Sequence, residues 1–194
     1  MPVRIQSVQK DSPAEKAGLR AGMLLYSLDG HEINDGLDYE FYSSAAELDA
    51  VTQTDDGAKL VLRVEKGEFE LLGCEFETYL IDKQHRCRNN CVFCFVDQLP
   101  KGMRSTLYFK DDDERLSFLF GNYITLTNLS EQEAQRLIDM HIPVNISVHT
   151  TNPELRVKML PHKTAGEVLC FNPSFAKTGI TLTHTLVPVP RLNE

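Results

Sequence analysis

The spacing of apolar positions divides the chain into two differently patterned stretches. Val3, Ile5 and Val8 stand among polar residues at intervals that suit a short strand. Ala14, Ala17 and Leu19 then form a brief helical stripe. Asp11 or Ser12 can cap it, Pro13 sits just inside it, Glu15 lies in its first turn and Gly18 closes it. Met23 to Leu28 predicts a strand, Asp29-Gly30 a tight turn and His31 to Ile33 the returning strand. The aromatics and alanines of Tyr39 to Leu48 fit helix or strand equally. Thr52 to Gly57 reads as a polar turn region, Leu60 to Val64 as a further strand, and Lys66-Gly67 as a turn into Glu68 to Leu72. Residues 1–73 are therefore expected to form a small, strand-rich module.

Beyond that point helical periods alternate with short apolar runs. Strands are expected at 75–81, 123–127, 144–148 and 180–187. Between the second and third, Ser130 can cap a helix from Glu131 to Met140, with Glu133 completing a capping box and Ala134, Leu137 and Ile138 forming its buried stripe. Asn152-Pro153 opens a short helix through Met159. Asn172 and Pro173 break the helical pattern that precedes the last strand. Strands separated by helices predict an α/β fold with parallel pairing.

Acidic residues outnumber basic ones, 28 to 20, for a net charge of -8. That balance gives no broad attraction to nucleic acid or to an anionic membrane surface. No apolar run is long enough to span a bilayer, and the opening MPVRIQSVQKDSPAEK does not resemble a secretory leader. A cytoplasmic protein is expected. The cysteines are Cys74, Cys87, Cys91, Cys94 and Cys170; the number is odd and three are crowded together. This pattern fits a metal site in a reducing compartment better than a disulfide scaffold.

The crowded cysteines stand in DKQHRCRNNCVFCFVDQLPKGMR with the spacing Cys87-x3-Cys91-x2-Cys94. Thiolates are soft, charged ligands, and a short loop brings three together without help from long-range folding. They can take three corners of a 4Fe-4S cluster. A closed four-cysteine zinc site is a less natural alternative, because neither Cys74 nor Cys170 belongs to a paired motif. The ordinary ferredoxin spacing is also absent. Arg86 and Arg88 can balance the cluster's charge or be solvated loop cations. The run Asp111-Asp112-Asp113 reads as a solvated face or a helix N-terminus sooner than as a magnesium site.

CRNNCVFC resembles the signature of the radical S-adenosyl-L-methionine (radical SAM) superfamily, with Phe93 as the aromatic residue before the third cysteine. Ser12 to Gly30 resembles part of a bacterial PDZ-like domain. The longer stretches RNNCVFCFVDQLPKGMR and LYFKDDDERLSFLFGNYITLTNL resemble a group of bacterial iron-sulfur oxidoreductases. That group joins a PDZ-like N-terminus to a radical SAM core and a further C-terminal domain.

The resemblance implies a PDZ-like domain over 1–73, followed over 74–194 by the N-terminal part of a radical SAM (β/α) barrel. It implies a 4Fe-4S cluster on Cys87, Cys91 and Cys94, with S-adenosyl-L-methionine on the remaining iron. Reductive cleavage of that cofactor to a 5'-deoxyadenosyl radical would follow, with electrons from a donor such as flavodoxin or ferredoxin. Phe93 would pack near the adenine. Thr127 and Asn128 stand where most members carry a Gly-Gly-Glu-like motif that holds the methionine amino group, and can offer oxygens in its place. Ser147 and His149, at the C-terminal end of a barrel strand, are further candidates for cofactor contact. The PDZ-like module would take a peptide or protein partner along a sheet edge. Fewer β/α units are present than a complete barrel needs, so a C-terminally truncated chain is expected. The rival readings are a PDZ-like binding protein or inactive fragment with a vestigial or electron-carrying cluster, and a structural zinc protein.

Overall fold

The computed structural model describes residues 2–67 and 70–193, so part of the expected stretch from Glu68 to Leu72 lies outside the described residues. Two compact units are present, one ending at Lys83 and the other starting at Gln84.

The first unit is strand-rich. Its elements begin with β1 (Val3–Arg4), β2 (Ser7–Val8) and the short helix α1 (Pro13–Ala17). Ser12 caps α1 by accepting from the Glu15 N–H at 3.2 Å, and Gly18 ends it at φ 101, a conformation that suits glycine. β3 (Leu24–Leu28) and β4 (His31–Glu32) form a hairpin across Asp29-Gly30, both at positive φ as a tight two-residue turn requires. The ambiguous stretch from Tyr39 to Leu48 divides. Asp35 accepts from the Asp38 N–H at 3.0 Å and starts α2 (Gly36–Tyr42) upstream of the aromatics, and after Ser43-Ser44 the chain enters β5 (Glu47–Gln53). β6 (Lys59–Glu65) completes an antiparallel sheet of order β1-β3-β5-β6, with β4 beside β3. Its core is aliphatic: Ile5, Leu19, Leu25, Leu28, Ile33 and Leu48 are fully buried.

The strand expected at 75–81 is reduced to β7 (Cys74–Glu75), which pairs antiparallel with β2. The apolar side chains after it cover the core instead of extending a ladder. Phe76 packs edge-on against Tyr39 at 4.8 Å, and the Gly36 N–H donates to the Leu80 carbonyl at 3.0 Å. Gly36 is required there, since a Cβ would stand 2.1 Å from the Tyr79 carbonyl oxygen. Residues 74–80 thus cover one edge of β2 and the N-terminus of α2.

The second unit is mixed α/β. α3 (Glu114–Phe120) is capped by Asp113. The strand expected at 123–127 shrinks to one parallel bridge, Ile124 to Ile146, because Leu126 adopts φ 66 and turns the chain out of the ladder. α4 (Glu131–Asp139) carries the expected capping box between Ser130 and Glu133. β8 (Val144–Ser147) follows, then α5 (Pro153–Met159), capped by Asn152. α6 (Phe171–Lys177) runs through the expected break: Pro173 falls in its first turn, where the missing N–H has no intrahelical partner to lose. The side chain of Asn172 lies outside the described residues. β9 (Leu182–Thr185) pairs parallel with β8, shorter than the expected strand at 180–187. Among the described residues, no helix is long and apolar enough to cross a membrane.

Candidate metal centre

The three crowded cysteines lie on one irregular loop that is tied down at several points. The Cys87 N–H donates to the Lys110 carbonyl at 2.9 Å, beside an antiparallel bridge from Arg86 to Asp111. The Cys94 N–H closes a turn onto the Cys91 carbonyl at 3.0 Å, and the Gln98 N–H reaches the Cys94 carbonyl at 3.2 Å. Between them the Val92 N–H donates to the carbonyl of Met159, the last residue of α5, at 3.0 Å. Cys91 and Phe93 pack against the buried cluster of Met159, Leu160 and Ala165. The loop owes its shape to main-chain bonds, and its apolar side chains anchor it to α5.

The thiols stand close enough to sense one another. The Cys91 thiol is pushed up to about 12 by burial, then by the neighbouring Cys87 and Cys94 sulfurs, with Asp112 adding to the effect. The Cys87 thiol is raised by burial and held back by hydrogen bonds from the Asn89 main chain and side chain. Cys87 and Cys91 so raised resist ionisation unless cationic metal supplies the compensation. Two cations assist. Lys110, paired with Asp97 at 2.6 Å, is held protonated by that hydrogen bond and by Cys94 and Cys87. Arg156 feels the charges of Asp112 and Cys91. Arg86, expected with Arg88 either to balance the cluster's charge or to be a solvated loop cation, stacks over the Phe109 ring at 5.0 Å.

Arg156 is fully buried. Its guanidinium donates to the carbonyls of Val148 (3.1 Å), Thr125 (2.8 Å), Ser147 (2.9 Å) and Ala165. It staples the 124–127 segment to β8 and to the chain beyond α5. Burial lowers its pKa to about 10, which leaves it charged at neutral pH. Sequence reading missed it, although one signal was present: it stands three residues before Met159 on a short helix, so the two share a face.

Of the two readings expected for the aspartate run, the helix N-terminus holds at Asp113, while the solvated face fails for Asp112 and Asp113, which are both buried. Asp113 caps α3 and forms a two-point pair with Arg115 at 2.9 and 2.7 Å. His85, Asp113 and Glu114 bring ligand atoms within 4.8 Å of one another, but both Asp113 oxygens already serve Arg115. Asp112 accepts from the Thr125 N–H and hydroxyl, each at 2.6 Å, and its carboxyl pKa is raised by burial. The Asn89 amide nitrogen stands 2.8 Å from the hydroxyl oxygens of both Thr125 and Thr127 and 3.5 Å from the Cys87 sulfur, and its two hydrogens are shared among these three neighbours.

The remaining candidates take up distinct positions. Phe93 lies 4.4 Å from the His149 ring, centroid to centroid. His149 is buried at φ 62; its Nδ1 accepts from the Val187 N–H at 3.2 Å, which places the proton of the neutral ring on Nε2. Burial, then the charge of Arg156, lowers its pKa to about 4. Ser147 contributes main chain: its N–H donates to the Ile124 carbonyl at 2.8 Å and its carbonyl accepts from Arg156. The Thr127 hydroxyl is drawn into the network with Asn89, Thr125 and Asp112. Asn128 donates its amide to the Arg86 carbonyl at 2.7 Å, while its Oδ1 is buried without a hydrogen-bond partner among the described residues. Arg86, Arg88, Asn128, Ser130 and Glu133 line a cleft of about 520 Å³. Cys74 sits in the core of the first unit and Cys170 is exposed.

Two family models match the chain. A radical SAM-like domain matches residues 66–194 and a PDZ domain matches residues 4–66. No curated protein matches the sequence. With the larger model spanning most of its length, the chain belongs to the radical SAM-like domain family.

Proposed function

We propose that the chain binds a 4Fe-4S cluster through Cys87, Cys91 and Cys94 and takes S-adenosyl-L-methionine beside it. The observation that carries this reading is the single loop, tied down by main-chain hydrogen bonds, that holds Cys87, Cys91 and Cys94 together, with Cys91 raised first by burial and then by the other two sulfurs. The three cysteines suit a polynuclear metal group that neutralises several thiolates at once. When bound and reduced, the cluster supplies the electron that splits S-adenosyl-L-methionine and yields a 5'-deoxyadenosyl radical.

The chain's own residues bind and orient. The buried Asn128 Oδ1 is an unspent acceptor suited to an ammonium group, and Asn128 lines a cleft within the size range of small-molecule sites. Thr127 is a weaker candidate for that contact, since its hydroxyl is engaged with Asn89 and Asp112. Phe93 and the neutral His149 ring offer an apolar wall that excludes water, and Ser147 fixes the strand end through Arg156. The parallel bridge from Ile124 to β8 and the parallel pairing of β8 with β9, with α4 between Ile124 and β8, support the reading of 74–194 as holding part of a (β/α) barrel. A reducing, cytoplasmic setting and an electron donor of the flavodoxin or ferredoxin type complete the proposal. A peptide or protein partner of the PDZ domain has an antiparallel edge to meet at β6, whose described ladder partner is β5 alone.

Anaerobic reconstitution with iron and sulfide, followed by electron paramagnetic resonance of the reduced protein, tests the reading. A 4Fe-4S signal that changes on adding S-adenosyl-L-methionine is expected. A protein that takes up zinc but no iron-sulfur cluster would overturn it.

A further inference from the structure

Asn89 is buried to 4 % exposure inside the cysteine loop, yet its side chain meets the polar Cys87 sulfur and the Thr125 and Thr127 hydroxyls. An asparagine amide can present either its oxygen or its NH₂ to a neighbour, and the surrounding donors and acceptors decide which. Here the decision traces back to Asp112. Its carboxylate accepts only, and takes the Thr125 hydroxyl proton at 2.6 Å. The Thr125 oxygen is left to accept, and the Asn89 NH₂ meets it at 2.8 Å. The Thr127 hydroxyl, 2.8 Å from that of Thr125 and equally near the Asn89 amide nitrogen, closes the ring by donating to the Asn89 Oδ1 at 3.1 Å. With its oxygen held there, the Asn89 amide turns its N–H toward the Cys87 sulfur at 3.5 Å.

We propose that Asp112, Thr125 and Thr127 form a positioning relay that aims the Asn89 amide at the Cys87 sulfur and thereby raises the reduction potential of the metal group held there. The proposal rests on the cluster reading given above. Hydrogen bonds to cluster sulfurs favour the reduced, more negative state, and the groups that orient such donors share in the effect. Thr125 is the link that touches both Asp112 and Asn89, so it is the position at which the relay can be cut without removing either end.

The test compares the reconstituted full chain with its Thr125→Val, Thr125→Ser and Asn89→Leu variants. Iron and sulfide are counted per chain, and the potential is read by redox titration followed by electron paramagnetic resonance. Asn89→Leu is expected to lower the reduced-to-oxidised ratio at a fixed applied potential about tenfold, a shift of about 59 mV for one electron. Thr125→Val should shift it in the same direction by less, and Thr125→Ser should restore the wild-type value. A purely structural role would change cluster content without this hydroxyl-dependent shift. Unshifted potentials in Thr125→Val and Asn89→Leu at full iron content overturn the relay and leave the cluster reading intact. If Asn89→Leu fails to assemble, the Val and Ser pair at position 125 still decides. A wild-type chain that takes up no cluster overturns both.

Discussion

The two units bury different kinds of atoms. In the first, the fully buried positions include Ile5, Leu19, Leu25, Leu28, Ile33 and Leu48, and its buried polar groups are short uncharged or capping side chains such as Thr52, Ser12 and Asp35. In the second, Asn89, Asp112, Asp113, Glu114, Arg115, His149 and Arg156 are all buried. Apolar burial stabilises a fold by roughly 25 cal/mol per Å². A buried charge costs several kcal/mol before its partners compensate. The first unit therefore spends its interior on folding. The second accepts a less favourable interior and gains a polar frame of fixed direction around the cysteine loop. Loss of an interior side chain should accordingly have different consequences in each.

The largest expected effect is all-or-none. Cys91→Ser should bring iron and sulfide content close to zero after reconstitution while the first unit stays folded. Retention of full iron would break the assignment of this loop as the metal site. Next comes Arg156→Met. It leaves the carbonyls of Thr125, Ser147, Val148 and Ala165 without their donor. Each buried polar group so orphaned costs about 1–3 kcal/mol, so a loss of about 3 kcal/mol or more is expected by urea denaturation. A cost below about 1 kcal/mol would mean that the polar frame does not hold the second unit together. Leu28→Ala, in the first unit, should cost about 2–5 kcal/mol and leave the iron content unchanged. If it lowers iron content, the two interiors are not separable as described.

Much of the first unit was legible because its signals are local. The Ser12 cap, the Gly18 stop and the Asp29-Gly30 turn act within a few residues, and each stands where the sequence put it. So does the Ser130–Glu133 capping box in the second unit. Tyr39 to Leu48 was ambiguous because the deciding residue, Asp35, lies outside that window. The strand expected at 123–127 failed on a single backbone torsion at Leu126, an apolar residue with no turn signature. The break expected at Pro173 failed because a proline in a first turn costs little. At the candidate site the cysteine spacing announced itself, but the supporting groups did not. Thr125 and Asp112 meet Asn89 and Cys87 only through long-range packing, so nothing in their spacing marks them, and Arg156 is marked only by the helix face it shares with Met159.

His149 sharpens the comparison with the smallest effect expected near neutrality. Its ring is buried against Phe93, and its Nδ1 is committed to the Val187 N–H. Protonation would have to displace that bond and place a cation near Arg156. The folded pKa is therefore lowered from 6.5 to about 4 by burial and by Arg156. The unfolded chain binds this proton more readily than the folded one between those values, so stability must rise with pH across that window. His149 contributes its full stabilising share above about pH 6.5, loses it progressively as the pH falls toward about 4, and changes no further below. Urea denaturation of the metal-free chain and of His149→Gln at pH 7 and pH 5 measures this. The wild type should lose more stability than the variant over that interval. Equal losses would mean that the ring is solvated on protonation, and that the polar frame around the cysteines is more open than its buried charges imply.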